Sequence, residues 1–322
     1  MSPRLPASAA GVVAGDRRAL ARLISAVEDR DPSAEPALRA LYARTGGAKV
    51  IGLTGPLGVG KSSLINELLA HLRSQGLRVG VVAVDPSSPF SGGSVLGDRI
   101  RLERKAGDAG VFIRSMASRG HSGGVAAATR EVARLLDAFG MDVVLVETVG
   151  SGQVDVEIRE IASTSVVVVV PHLGDEVQSL KAGLFEIADV FCVNKSELPG
   201  ADIAARDLLE LVATGPGRDG WRAAVVPTST HAKTGIPQLW EAILAHEQYL
   251  DSGGRRAEAE RRRTKAELMS LVRERVELRL AEELGQDGAL ARLLDEVIDR
   301  RLDPRTAADR LLRRLSPPER SA

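Results

Sequence analysis

The 322-residue chain carries 43 Lys+Arg against 43 Asp+Glu, so its formal net charge is zero, and 44% of its residues are hydrophobic. Its length exceeds the roughly 100–200 residues of a typical domain, and its charge balance gives no electrostatic footprint for a nucleic-acid partner. A single cysteine excludes an intramolecular disulfide and a Cys-rich metal site, and 3% aromatics argue against a base-stacking platform.

Residues 1–45 form an N-terminal helical segment. Leu20, Leu23, Ile24 and Val27 recur at helical spacing, and Asp31-Pro32 interrupts the run. The opening residues lack a continuous apolar signal segment. No run approaches 18 apolar residues, and the longest, around Val166–Val170, is strand-sized. The expectation is a cytoplasmic protein with no membrane association.

After a Gly46-Gly47 turn, residues 46–250 alternate short apolar strands with helices. Strands are expected at Val50–Thr54, Val79–Val84, Val143–Val146, Val166–Val170, Val190–Val193 and Ala224–Pro227. Strands that are apolar throughout and linked by helical segments predict an α/β fold with a mostly parallel sheet flanked by helices. Cys192 falls in one of these strands, where a free cysteine is a small hydrophobe. Residues 251–322 change character. Gly253-Gly254 closes the α/β region, and Arg255–Leu284 reads as one long helix with a stripe of Leu268, Leu271, Val272, Val276, Leu280 and Leu284. Gly285 is placed to cap it. Helices follow at Ala289–Arg301 and Arg305–Leu315, the latter started by Asp303-Pro304. The stripe either packs on its own domain or forms a subunit interface.

Gly55-Pro-Leu-Gly-Val-Gly-Lys-Ser62 matches G-x-x-x-x-G-K-[ST], after a buried strand and before the apolar helix start Leu64-Ile65. This is the strand–loop–helix context of a phosphate-binding loop, so the fold is a P-loop NTPase. Backbone N–H groups and a helix N-terminus stabilise phosphate. The expected nucleotide-binding set here is Gly55, Gly58, Val59, Gly60, Lys61, Ser62 and Ser63, with Lys61 reaching the β- and γ-phosphates and Ser62 ligating Mg²⁺.

Asp85 ends the second strand, where a carboxylate holds Mg²⁺ directly or through water, unless it only initiates the turn before Pro86. Gly92-Gly93 and Gly97-Asp98 lie in a loop, and Arg114–Gly124 is a second polar, glycine-rich stretch holding Arg119 and His121. Both are candidate switches responding to the γ-phosphate. The strand Val143–Val146 terminates in Glu147, the expected support of the Mg²⁺ shell, with Gly150 free to meet the γ-phosphate. Gln153 either orients water or is an ordinary loop residue. The catalytic candidates are therefore Lys61, Asp85, Glu147 and Gln153.

Base recognition rests on Asn194-Lys195-Ser196-Glu197 after a buried strand. In the guanine-reading pattern N-K-x-D, the final carboxylate accepts from N1–H and the exocyclic amine, a donor pair adenine lacks. Here the acid is Glu197, one methylene longer. Ser229 and Thr230, after Ala224–Pro227, add a donor toward the base oxygen. GTP/GDP with Mg²⁺ is the expected ligand set.

These residues resemble the methylmalonyl-CoA mutase accessory GTPases, G-protein chaperones of adenosylcobalamin-dependent acyl-CoA mutases. Bacterial members carry an older description as arginine/ornithine transport ATPases or kinases. The likeness spans roughly residues 10–310. Beyond Gly55–Ser62 it is carried by Asp85-Pro-Ser-Ser-Pro, Gly92-Gly-Ser-Val-Leu-Gly-Asp98, Phe112-Ile-Arg-Ser115, Gly123-Gly124 and Glu147-Thr-Val-Gly150 with Gly152-Gln153. It continues through Gly174-Asp175, Gln178, Lys181-Ala-Gly183 and Glu186-Ile-Ala-Asp189. The resemblance implies a homodimer built on the C-terminal helices and a GTP cycle that gates cofactor delivery to a partner mutase and helps remove damaged cofactor. It also implies that Asp85, Asp98 and Glu147 serve the metal centre and its switches, and that Gly150–Glu157 reports nucleotide state. Two departures stand out: Glu197 where the family has Asp, and Thr230-His231 where Ala follows the serine.

His71 and His246 lie on expected helices as surface or packing residues, while His172 and His231 follow strand ends. The spacing of the five histidines makes no zinc site. Rival readings are a nickel-delivery GTPase, which would want a Cys/His constellation, and a small-molecule kinase, which the guanine motif opposes.

Overall fold

The computed structural model describes residues 5–85, 107–117, 124–148, 154–171, 184–215, 217, 219–287 and 289–315. Contacts divide the chain into two compact units, residues 1–260 and 261–322.

Among the described residues the first unit holds seven parallel strands: β1 (Lys49–Thr54), β2 (Val79–Asp85), β3 (Val111–Ala117), β4 (Val143–Glu147), β5 (Thr164–Val169), β6 (Val190–Val193) and β7 (Ala224–Pro227). Their order is β3-β2-β4-β1-β5-β6-β7. Strand side chains alternate between faces, and because both faces are covered both sets are apolar. Ile51, Leu53, Val143, Leu145, Val166 and Val168 pack with α4 (Lys61–Ser74) and α9 (Ile236–Asp251) on one side. Val144, Val146, Val167 and Phe191 meet the other layer. That layer includes α1 (Ala7–Val13), α2 (Arg17–Glu28), α3 (Glu35–Tyr42), α5 (Gly124–Ala138), α6 (Val154–Ile161) and α8 (Ala201–Thr214), and a short α7 spans Leu184–Ile187. This is the expected P-loop NTPase architecture, a parallel sheet between helical layers with N-terminal helices added. Cys192 is fully buried on β6, its Sγ 3.0 Å from the Thr228 hydroxyl, and burial pushes its thiol up to about 12. It is a packing residue, as the sequence indicated.

The N-terminal helices are local designs. Asp16 caps α2 by accepting from the Arg18 and Ala19 amides, and Leu20, Leu23, Ile24 and Val27 turn inward from it. Arg114 corrects the sequence reading. It was expected in a polar, glycine-rich loop, yet Arg114–Ala117 belongs to edge strand β3. Its guanidinium leaves the sheet to meet Glu28 and the Ser25 hydroxyl of α2, so a charged residue sits in a strand without an orphaned charge.

At the edge of the sheet where β5 and β6 begin, a buried polar cluster joins strands to α9. Glu247, 1% exposed at its side chain, accepts 2.6 Å bonds from the Ser163 and Thr164 hydroxyls and pairs with Arg256 at 2.9 Å. His246 Nδ1 lies 2.9 Å from Thr164 Oγ1 and its Nε2 lies 3.4 Å from Asp189, while Trp221 donates to the Asp189 carbonyl and lies against the imidazole. Burial pushes the Glu247 carboxyl up, but bonds from Ser163, Thr164 and Arg256 together hold it below the usual carboxylate range.

In the second unit, the long helix α10 (Arg255–Asp287), whose first residues belong to the first unit, is followed by α11 (Ala289–Ile298) and α12 (Pro304–Leu315). Gly285 does not cap α10; the helix runs through it to Asp287. A single interior glycine costs only about 1 kcal/mol relative to alanine, too little to stop so long a helix. Asp303 caps α12, accepting from the Arg305 and Thr306 amides, and hydrogen bonding by Thr306 holds its carboxyl below the usual range. Leu268, Leu271, Val272, Leu290, Leu294 and Ile298 are exposed. Among the described residues no helix is long and apolar enough to cross a membrane.

Candidate functional site

The site is assembled where β1, β4, β5 and β6 end. Between β1 and α4 the chain turns through Gly55 at φ +140°, where a Cβ would stand 2.2 Å from the Val168 carbonyl oxygen. Gly60 precedes α4 at φ +91°, with its would-be Cβ 2.6 Å from Asn194 Nδ2. Both positions admit only glycine, which is why the motif demands it at each end of the loop. The 14-residue α4 then directs its N-terminus, a partial positive charge, at the loop.

Lys61 is 6% exposed, and its ammonium donates to the Gly55 and Pro56 carbonyls at 2.6 and 2.8 Å. The loop thus curls around a buried cation. One residue on, the Ser62 hydroxyl donates to Glu147 Oε1 at 2.7 Å. Glu147 is 8% exposed at the end of β4, so a carboxylate and a hydroxyl, both hard oxygen donors, meet at the first turn of α4. That donor set fits a Mg²⁺–phosphate group. Beneath it the Thr148 hydroxyl donates to the Thr54 hydroxyl at 2.8 Å, with both residues buried.

The segment expected to read the base, Asn194–Glu197, meets the same loop. Asn194 is fully buried, donating to the Val59 carbonyl at 2.8 Å and accepting from Thr228 at 3.2 Å. Lys195, held at φ +57°, donates to the Gly58 carbonyl at 2.9 Å. Asn194 and Lys195 therefore brace the phosphate loop rather than leaving it to its own turns. Glu197 is exposed beyond them. Hydrogen bonding by the Ser229 side chain holds its carboxyl below the usual range, with smaller help from His231 and Lys195. Ser229 exchanges two 3.0 Å backbone bonds with Thr234 and accepts from the Ala232 amide, closing a tight loop that contains half-buried Thr230 and exposed His231.

Of the expected residues, Gly55, Gly58, Val59, Gly60, Lys61, Ser62, Ser63 and Glu147 lie on this loop or strand end, Asn194 and Lys195 hydrogen-bond to it, and Glu197 meets Ser229 in the turn that also holds Thr230. Asp85 closes β2 in the backbone, but its side chain lies outside the described residues, as do Asp98, Gly150, Gln153, His121 and His172. Sequence reasoning gave no role to Thr54 or Thr148. Their signal was a hydroxyl at the last position of one apolar strand and just past the end of another.

A family model described as methylmalonyl Co-A mutase-associated GTPase MeaB matches residues 20–284. A Pyrococcus abyssi protein is 45% identical over 304 residues, covering 94% of each chain. The Escherichia coli GTPase ArgK is 36% identical over 249 residues, 75% of each chain. The mouse protein named methylmalonic aciduria type A homolog, mitochondrial, is 32% identical over 267 residues, 82% of this chain and 64% of that one. In structure, the chain is similar to a crystal structure of LAO/AO transport system kinase, with a TM-score of 0.72, 28% identity and 96% coverage of both chains. The chain belongs to the methylmalonyl Co-A mutase-associated GTPase family.

Proposed function

We propose that this chain binds GTP with Mg²⁺, hydrolyses it to GDP and phosphate, and uses that cycle as a chaperone for an adenosylcobalamin-dependent acyl-CoA mutase, gating cofactor loading and protecting or reactivating the mutase. The observation that carries the reading is the convergence on one loop of a buried ammonium, a Ser62–Glu147 donor pair and the Asn194–Lys195 brace. Mg²⁺ would supply charge neutralisation to the phosphates. Ser62 and Glu147 would hold it, with Asp85 and Asp98 as further carboxylates. Lys61 presents a desolvated positive charge where negative charge develops, an interaction worth more in a dry site than in water. Glu197 accepts from the guanine N1–H and exocyclic amine, and Ser229 and Thr230 flank the base oxygen. Gln153 orients the attacking water.

The mutase carries the cobalamin and acyl-CoA chemistry, and this chain supplies the switch. The exposed apolar residues of α10 and α11 support a homodimer; light scattering tests it, with twice the 34.1 kDa chain mass expected and the monomer mass rejecting it.

Nucleotide competition tests the base assignment. The wild-type chain binds GTP more tightly than ATP. Glu197→Ala weakens GTP binding by about 10- to 100-fold, the worth of hydrogen bonds to a charged group, and leaves ATP binding nearly unchanged. Equal wild-type affinities for the two nucleotides contradict the role of Glu197.

A further inference from the structure

Apart from Thr54, β1 pairs with β4 through residues such as Ile51, Gly52 and Leu53 against Leu145, Val146 and Glu147. Two threonines follow directly. Thr54 is 0% and Thr148 2% exposed, in a position that apolar residues would ordinarily fill. Burying a hydroxyl is costly unless it is hydrogen-bonded, and here Thr148 donates to Thr54 at 2.8 Å. The Thr148 amide also donates to the Leu53 carbonyl at 3.1 Å, the backbone bond that closes the last pairing of the two strands, Leu53 with Glu147.

The position of this pair gives it a consequence. Thr54 precedes Gly55, where the phosphate loop begins, and Thr148 follows Glu147, whose carboxylate receives the Ser62 hydroxyl at 2.7 Å. The separation of Glu147 from Ser62 therefore depends on how β4 is held against β1 at this point. We propose that Thr54 and Thr148 form a positioning pair that fixes the Glu147 carboxylate relative to Ser62 and so sets the affinity of the site for Mg²⁺. This rests on the reading of Ser62 and Glu147 as the Mg²⁺ donors. The role is one of positioning, each threonine acting through the strand end it locks.

The test titrates Mg²⁺ against the full chain carrying a fluorescent GTP analogue, and measures analogue affinity in EDTA in parallel. Thr148→Val and Thr54→Val keep the side-chain shape and remove the hydroxyl. Each raises the Mg²⁺ concentration at half-effect about three- to tenfold, the range one hydrogen bond supplies, while affinity in EDTA stays at the wild-type value. Thr148→Ser restores the wild-type Mg²⁺ response. The double valine variant falls short of the sum of the two single effects, because the two substitutions share one interaction. Unchanged Mg²⁺ response with only a lowered melting temperature, or additive single effects, overturns the pair's role. A wild-type chain whose analogue affinity ignores Mg²⁺ overturns the reading of Ser62 and Glu147, and the pair's role with it.

Discussion

Lys61→Ala is expected to lower kcat for GTP hydrolysis by about 10²- to 10³-fold, the usual effect of deleting one preorganised electrostatic group from a transition state. The expectation comes from where the ammonium sits. At 6% exposure it has shed most of its water and is held by the Gly55 and Pro56 carbonyls, so its charge is already oriented within the loop that surrounds it. Arginine should not substitute. A planar guanidinium is bulkier than an ammonium and cannot occupy a buried position bracketed by two carbonyls at 2.6 and 2.8 Å. Turnover measured with purified Lys61→Ala and Lys61→Arg protein checks this, and wild-type rates in the alanine variant refute the phosphate-loop assignment.

The largest stability effect is expected at Glu247, far along the strands from the phosphate loop. Its carboxylate gathers Ser163, Thr164 and Arg256 in a nearly dry setting. Removing one partner of a buried ion pair typically costs about 3–5 kcal/mol, and because Arg256 is 39% exposed the lower end applies. Glu247→Ala should lower the melting temperature by roughly 10 °C in a unit of this size. The pH dependence has a definite sign. The folded carboxyl is held below its ordinary 4.5, so its contribution is fully present above that value and is lost as pH falls through the lower folded one. The stability gap between wild type and Glu247→Gln should be constant from pH 7 to about 5 and shrink at lower pH. A gap that widens on acidification contradicts the arrangement.

The parts of this molecule that were legible from sequence share one property: their signal is local. The phosphate loop announces itself because glycine, lysine and serine must stand at fixed offsets between a strand and a helix. The apolar strands announce a sheet covered on both faces. What was not legible depends on partners remote in sequence. Arg114 read as the start of a polar, glycine-rich stretch, and its partner Glu28 sits 86 residues away on α2. His246 read only as a helical packing residue, although it joins Thr164 and Asp189 in a cluster that forms only once β5, β6 and α9 have come together. Gly285 looked like a terminator because a cap is inferred from one residue, whereas α10 is sustained by the residues on either side of it. Asn194 and Lys195 were read for the base they would face. The geometry adds a second task, since both side chains hold carbonyls of the phosphate loop. The segment expected to face the base is thus hydrogen-bonded to the phosphate loop.

That joint links the proposed switch to the phosphate loop. Asn194 and Lys195 are hydrogen-bonded to the loop at Val59 and Gly58, and Glu147 is tied to the same loop through Ser62. The most direct measurement is single-turnover GTP hydrolysis by the full chain with and without a purified adenosylcobalamin-dependent acyl-CoA mutase. The account predicts Mg²⁺-dependent GTP hydrolysis that changes in rate when the mutase is added at saturating concentration. A GTP rate identical with and without the mutase, or ATP consumed as readily as GTP, would contradict it.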